Sequence, residues 1–449
     1  MSPPAVEERV VRALQALVRV PSVSDRDPAR VDTAVFDRLL EELAAQFPLL
    51  HEKLELTRVG THGLLFRWAG ASDVRPVVLM AHLDVVPVDP EAPWRYDPFG
   101  AEIHDGAVWG RGTLDDKNCV TAICDAVESL LETGHVPAQD VWLSFGCDEE
   151  VSGTSAREAV EVLRSRGVTP WLVLDEGGAI AGGAFPGVKA PLGVVGVTEK
   201  GTTSIELVAE GRGGHASTPA RNGPTARLAR AILHVEKAPF PASAPAPTLE
   251  MMRRLAPHVP LPLCPVLGPL LSRADRLAPV VTRALVAAGP EAAATTRTTV
   301  ATTTLSGSPA INVIASTARA GLNVRVMVGD TVAGVVEHLR RAIDDDSIRI
   351  DVVEAGEASP VSPMDEPFEL VEACIGEVFP DAVATPYVMM AATDSRHFTA
   401  ISEHVYRFAP FRMSKAQRQA IHSYDEHIGV ADLVDGARWY ALLIERLPA

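Results

Sequence analysis

The 449-residue sequence predicts an α/β fold: a large domain on a doubly wound, mostly parallel sheet, interrupted by a smaller α+β domain of β-α-β-β-α-β order. Three observations predict it. Short continuous apolar runs alternate with helically spaced segments in both outer parts of the chain. Near Lys200 the pattern changes to the residue-by-residue alternation of half-exposed strands. The length also exceeds that of one ordinary compact domain.

From Val6 to about Gln46 the spacing is helical, with a break near Pro21. VRPVVLMAHLD, residues 74–84, is a continuous apolar run of the kind that strands buried on both faces show. NCVTAICDAVESLLETG has helical spacing and stops at Gly134, a residue type that favours the left-handed helix terminus. VWLSFGCDEE and WLVLDEG are two further apolar runs, each ending in acidic residues. GTTSIELVAEG then alternates as a strand, and a helix follows from about Thr225 to Lys237. ATTTLSGSPAINVIAS and ARAGLNVRVMV read as an antiparallel pair, TVAGVVEHLRRAIDD as a helix and IRIDVVEAG as a last strand. Between Pro239 and about Gly289 a proline-rich arm with short apolar helices reads as an insertion. SPVSPMDEP is the exit linker. Residues 1–199 and 356–449 thus form the large domain, and 200–355 the smaller one. No internal repeat is visible.

Composition excludes several classes. The formal net charge is -17, and such a surface repels phosphate backbones and anionic lipid, so neither nucleic acid nor membrane is an expected partner. No apolar run reaches the roughly 18 residues of a membrane span. The first residues lack the basic and apolar regions of a secretory signal. Cys119, Cys124, Cys147, Cys264 and Cys374 are odd in number, sparse and without CxxC spacing. They predict reduced thiols in a cytoplasmic protein, not a disulfide framework or a cysteine-only zinc site.

Five segments place acidic residues and histidines at apparent strand ends: His82 and Asp84; Asp115 and Asp116; Asp148, Glu149 and Glu150; Asp175 and Glu176; His422, Asp425 and His427. Singly each has an ordinary explanation. His82 reads as a core histidine, Asp115 and Asp116 as a helix N-cap pair, Glu149 and Glu150 as a solvated turn. Together they do not, because carboxylates converging on one sheet edge repel each other and are costly to bury unpaired. A cation resolves the conflict. Two imidazoles with several carboxylates suit zinc, and the excess of carboxylate suits two ions bridged by one of them. His82 and Asp84, two apart, face the same way on a strand, so one can orient the other. Adjacent Glu149 and Glu150 can divide the roles of ligand and general base.

Taken in order, HLDVVP, GRGTLDDK, DEEVSG, GGHAS, TDSRHF and IHSYDEHI resemble the motifs of the co-catalytic di-zinc exopeptidase family. Its members include aminoacylase, glutamate carboxypeptidase, carnosinase and succinyl-diaminopimelate desuccinylase. WRYDPFGAEIHDGAVWGRGTLDDK and YRFAPFRMSKAQRQAIHSYDEHI look most like the glycine-X carboxypeptidase and N-acyl-amino-acid synthase/hydrolase branch. The resemblance covers essentially the whole chain. It implies two Zn2+ per chain, with Co2+ or Mn2+ as substitutes, His82 on one ion, His422 on the other, Asp115 bridging, and Glu150 and Asp175 completing the spheres. It further implies that Asp84 supports His82 and that Glu149 is the general base. The smaller domain becomes a lid, from which His215 stabilises the oxyanion, Arg325 holds the substrate carboxylate and Asn312 lies nearby. A cis peptide between Asp115 and Asp116 and a homodimer formed through the lid belong to the same implication.

Two departures stand out. Asn323 replaces a common aspartate, and Ala391 and Ala392 replace a common glycine-containing pair. They bear on the substrate, not on the reaction type. The implied activity is hydrolysis of the amide bond of an N-acyl-amino acid by activated water, with a carboxypeptidase or dipeptidase acting on short peptides as the alternative. A di-metal phosphoesterase would show basic phosphate-binding residues beside the ligands, and a non-catalytic binding protein on the same fold would have lost ligands or base; neither pattern is seen.

Overall fold

A computed structural model describes residues 3–151, 153–185, 188–259, 268–269 and 271–449. Cys264 and part of the insertion lie outside these residues. The described chain builds a ten-stranded sheet, a separate four-stranded sheet and two small strand clusters.

The centre of the large sheet is parallel, in the order Gln139–Gly146, Ser72–His82, Leu172–Asp175 and Val405–Arg407. An antiparallel hairpin, Glu55–Val59 with Gly63–Trp68, closes one side. On the other, Leu192–Glu199 runs antiparallel to Ala179–Ala181 and parallel to Val383–Met389. The buried stretches of the central strands are mostly apolar because both of their faces are covered. Val77, Leu79 and Ala81 pack under helices Pro3–Val18, Lys117–Glu132 and Val430–Glu445, whereas Val78 and Met80 face helix Thr154–Ser165. Helix Lys117–Glu132 ends as its sequence indicates. Gly134 has φ 72°, its N–H reaches Leu131 O, and the N–H of His135 reaches Leu130 O.

The smaller sheet has the order Thr299–Ser306, Thr317–Val326, Gly201–Glu210, Ile348–Glu354, with every neighbour antiparallel. Helices Pro224–Lys237 and Val332–Ile343 cover one face and share a core with it through Ile205, Leu207, Leu228, Leu322, Val335 and Leu339. Residues 301–316 do not form one strand. Gly307 and Pro309 interrupt it, leaving Thr299–Ser306 on the sheet edge and Val313–Ile314 in a separate ribbon with Gly214–His215. The described part of the insertion packs against the large sheet. Met251, Met252 and Leu255 pack with Leu192, Val194, Val383 and Tyr387 of the large sheet.

The chain passes between the two sheets twice, and the two passes touch. A Cβ on Gly201 would lie 2.1 Å from Gly356 O, and one on Gly356 would lie 2.4 Å from Thr202 O. Only glycine allows this crossing.

Candidate metal centre

The parallel strands end on one edge, where open α/β sheets form their sites. His82 is the last residue of its strand and is buried. Its Nδ1 lies 3.0 Å from Asp84 O and 3.3 Å from Asp84 Oδ1, which makes Nδ1 a hydrogen-bond donor. Nε2 then faces Asp115 Oδ1, only 2.9 Å away. The other oxygen of Asp115 lies 2.9 Å from Nε2 of His422, and that nitrogen lies 3.1 Å from Glu150 Oε2. Asp115 therefore presents one oxygen to each imidazole.

Lone pairs this close need a positive charge between them, either a proton or a metal ion. Three further observations fit a cation. His82, Asp115 and Glu150 offer ligand atoms that all lie within 4.8 Å of one another. Glu150 Oε1 is buried and has no hydrogen-bond partner. The donor set, imidazole and carboxylate without thiolate, is the borderline set that suits zinc and its neighbours.

Without a cation the local charges are strained. Burial alone would raise the carboxyl of Asp115, yet hydrogen bonds from His422 and His82 hold it well below the usual carboxylate range. Its hydrogen bonds to Asp115 and Glu150 push His422 up to about 10. Burial also pushes up the carboxyls of Asp116, Glu149, Asp175, Glu176 and Asp394, the last to about 8. In all of these but Asp175 neighbouring carboxylates add to the rise. A bound divalent ion would relieve this crowding.

Local structure explains how each group arrives. Asp84 is fully buried, and its carboxylate does two jobs: it faces His82, and it accepts the main-chain N–H of Glu149 and Glu150 at 3.1 Å each. Ser24 Oγ adds a 2.7 Å bond. Asp148 anchors the far side of the same loop on Thr154 and Ser155. Glu149 is thus brought beside the cluster without belonging to it. Asp115 and Asp116 do not lie at a strand end, as their segment suggested; they precede helix Lys117–Glu132 and are joined by a cis peptide. Asp116 makes no side-chain cap bond, and its Oδ2 accepts the N–H of His82 at 3.2 Å instead. His422 likewise sits before, not after, a strand, between Lys415–Ala420 and His427–Gly429.

Other expected residues are placed differently. Asp175 ends the neighbouring strand, buried, and its two oxygens accept the N–H groups of Glu176 and Ser395. His215 and Asn312 are exposed on the ribbon beside the smaller sheet, where His215 Nδ1 accepts from Ser217 Oγ at 2.7 Å and Asn312 O accepts from Ala216 N. Arg325 is half-buried on the smaller sheet, donating to Asn323 Oδ1 at 3.1 Å and Thr202 Oγ1 at 2.7 Å. None of these three joins the cluster. The sequence reading missed Ser24, the buried Asp394 behind the loop, and Glu199, which pairs with Arg407 and accepts the N–H of Thr393. The motif TDSRHF was the signal for Asp394.

Comparisons with known proteins find relatives over most of the chain. Residues 78–446 match the model of peptidase family M20/M25/M40. An N-fatty-acyl-amino acid synthase/hydrolase of Xenopus tropicalis is 33% identical over 455 residues, covering 98% of this chain and 86% of the relative. A carboxypeptidase S-like protein of Dictyostelium discoideum is 33% identical, covering 91% and 79%. A metallo-carboxypeptidase structure from Sulfolobus solfataricus superposes with a TM-score of 0.69 at 16% identity, covering 99% of both chains. The matched length and these identities make the chain a member of peptidase family M20/M25/M40, a hydrolase of amide or peptide bonds.

Proposed function

We propose that this hydrolase cleaves the amide bond of N-acyl-amino acids with two divalent metal ions, zinc by preference, held by His82, Asp115, Glu150, Asp175 and His422. The observation that carries the reading is Asp115, whose two oxygens meet two different imidazoles at 2.9 Å. Two ions bound there would lower the pKa of water from about 15.7 to about 7, roughly 12 kcal/mol, and polarise the amide carbonyl.

The chain's own groups supply the rest. Glu149 accepts the proton of the attacking water and passes it to the leaving amine. Burial and the nearby Asp394, Asp115 and Glu150 carboxylates raise the affinity of Glu149 for a proton. Asp84 holds Nδ1 of His82 as the donor and so leaves Nε2 for a metal ion. His215 donates to the oxyanion, and Arg325 binds the free carboxylate of the substrate, with Asn312 beside it. Arg325 faces Asn323, an amide and not a carboxylate, so its charge is left for a ligand. We read residues 200–355 as a lid that swings on the Gly201–Gly356 crossing, bringing His215 to its own site or, in a homodimer, to the partner's. The exposed ribbon carrying His215, with Ile311 102% and Val313 45% exposed, supports a surface that is covered in use. Four buried free thiols, Cys119, Cys124, Cys147 and Cys374, support a reducing, cytoplasmic setting.

The kind of substrate is tested by supplying metal and comparing acetyl- and lauroyl-amino acids with dipeptides. Hydrolysis of the N-acyl compounds is expected; cleavage of dipeptides alone would replace this reading with a dipeptidase. His215→Ala is expected to lower kcat by about 10²–10³-fold, the usual effect of one lost oxyanion donor, with metal content unchanged. Arg325→Ala is expected to raise KM for substrates with a free carboxylate and to leave those with a blocked one unaffected, as steady-state kinetics on both series would show.

A further inference from the structure

Glu426 is fully buried, and its hydrogen bonds run to one stretch of chain. Oε1 accepts the N–H groups of Gly112 at 3.0 Å, Leu114 at 2.7 Å and Asp115 at 3.2 Å. Oε2 accepts from Arg111 Nη1 at 2.6 Å, and Nη2 of the same guanidinium donates to Ser423 O at 2.6 Å. The main-chain carbonyl of Glu426 accepts Gly110 N at 2.9 Å. Immediately afterwards, His427–Gly429 pairs antiparallel with Ala107–Trp109. The segment that carries His422 is therefore stitched along the whole segment that leads to Asp115.

His422 needs such a tether. Its side chain is 53% exposed, so packing does not hold it. Its backbone lies in the left-handed region at φ 59°, as does that of Asp425 at φ 60°. Non-glycine residues keep that conformation only where the surroundings enforce it. Arg111, itself buried, grips this segment at Ser423, the next residue. Glu426 holds the opposite side, at the N–H of Asp115 itself.

We propose that Glu426, with Arg111, is a positioning residue pair that sets the spacing between Asp115 and His422, and so the affinity for the ion those two residues share. The proposal rests on the ligand assignment made above. Glu426 touches neither substrate nor ion. It acts by fixing two main-chain segments that would otherwise move independently, as groups behind metal ligands commonly do.

Glu426→Gln is the informative variant. It keeps a carbonyl oxygen for the three N–H groups but turns an amide –NH2 toward Arg111, so the three main-chain links are kept and the charged bond that sets Arg111 against Ser423 is lost. The protein would be stripped of metal, and Zn2+ would be titrated against a chromophoric chelator for wild type, Glu426→Gln, Arg111→Lys, His422→Ala and the Glu426→Gln/His422→Ala double variant. The expected result is that Glu426→Gln weakens one of two Zn2+ sites by about 10–100-fold and spares the other. Turnover should recover at saturating Zn2+, with KM for substrate unchanged. Arg111→Lys, which keeps the charge, should lose less. In the His422→Ala background, where the tethered segment no longer carries a ligand, Glu426→Gln should cost little more. Wild-type Zn2+ affinity in folded Glu426→Gln overturns the proposal, as does a full additional loss in the double variant. Loss of the folded state in both Glu426→Gln and Arg111→Lys, seen by circular dichroism, would assign the pair to the fold and overturn it too. If His422→Ala itself binds two ions as wild type does, it is the ligand assignment that fails.

Discussion

Glu149→Gln is expected to lower turnover by at least 10²–10⁴-fold, the usual contribution of a positioned general base, while the purified variant holds as much metal as wild type. Glu150→Ala should do the opposite at the level of metal: one ion is lost, and activity falls because the site is incomplete. The two residues are adjacent, and Asp84 holds the N–H of each at 3.1 Å, yet only Glu150 faces His422. Metal analysis on the two variants, run beside kcat, separates the roles. The reverse pattern, with Glu149→Gln losing metal and Glu150→Ala keeping it, would exchange them.

Removal of metal is expected to have the larger effect. Exhaustive dialysis against a chelator should abolish amide hydrolysis, and Zn2+ or Co2+ should restore it. The magnitude follows from the roughly 12 kcal/mol that separates free from activated water, far more than any single side chain supplies. The crowded carboxyls predict a second readout. Metal-free protein holds its acidic groups in low-dielectric surroundings with imidazolium and guanidinium as counter-charges, so metal should raise the melting temperature, and further as free metal increases. Undiminished activity in protein shown to be free of metal would rule out the metal reading.

Much of this site is legible in the sequence, for a physical reason. Val77 to His82 lie on a strand buried on both faces, so the run is apolar without alternation, and a histidine at its end has few ordinary explanations. Gly134 shows its purpose in the left-handed turn that it adopts. Other features have no such signature. Asp115 and His422 look like strand-end residues but sit in irregular chain, because what places them is main-chain hydrogen bonding, which any residue type can supply. Glu426 was passed over beside Asp425 for the same reason: three of its four side-chain partners are backbone N–H groups. The insertion's allegiance to the large sheet is a matter of which apolar faces meet, and apolar patches in sequence do not name their partners.

The central claim is that two metal ions lie on either side of the Asp115 carboxylate. Diffraction from crystals of the zinc-loaded protein, recorded just above and just below the zinc absorption edge, tests it most directly. Two anomalous peaks are predicted, one bounded by Asp115 and His82 and the other by Asp115, His422 and Glu150. A single peak, or zinc bound only away from Asp115, would contradict it.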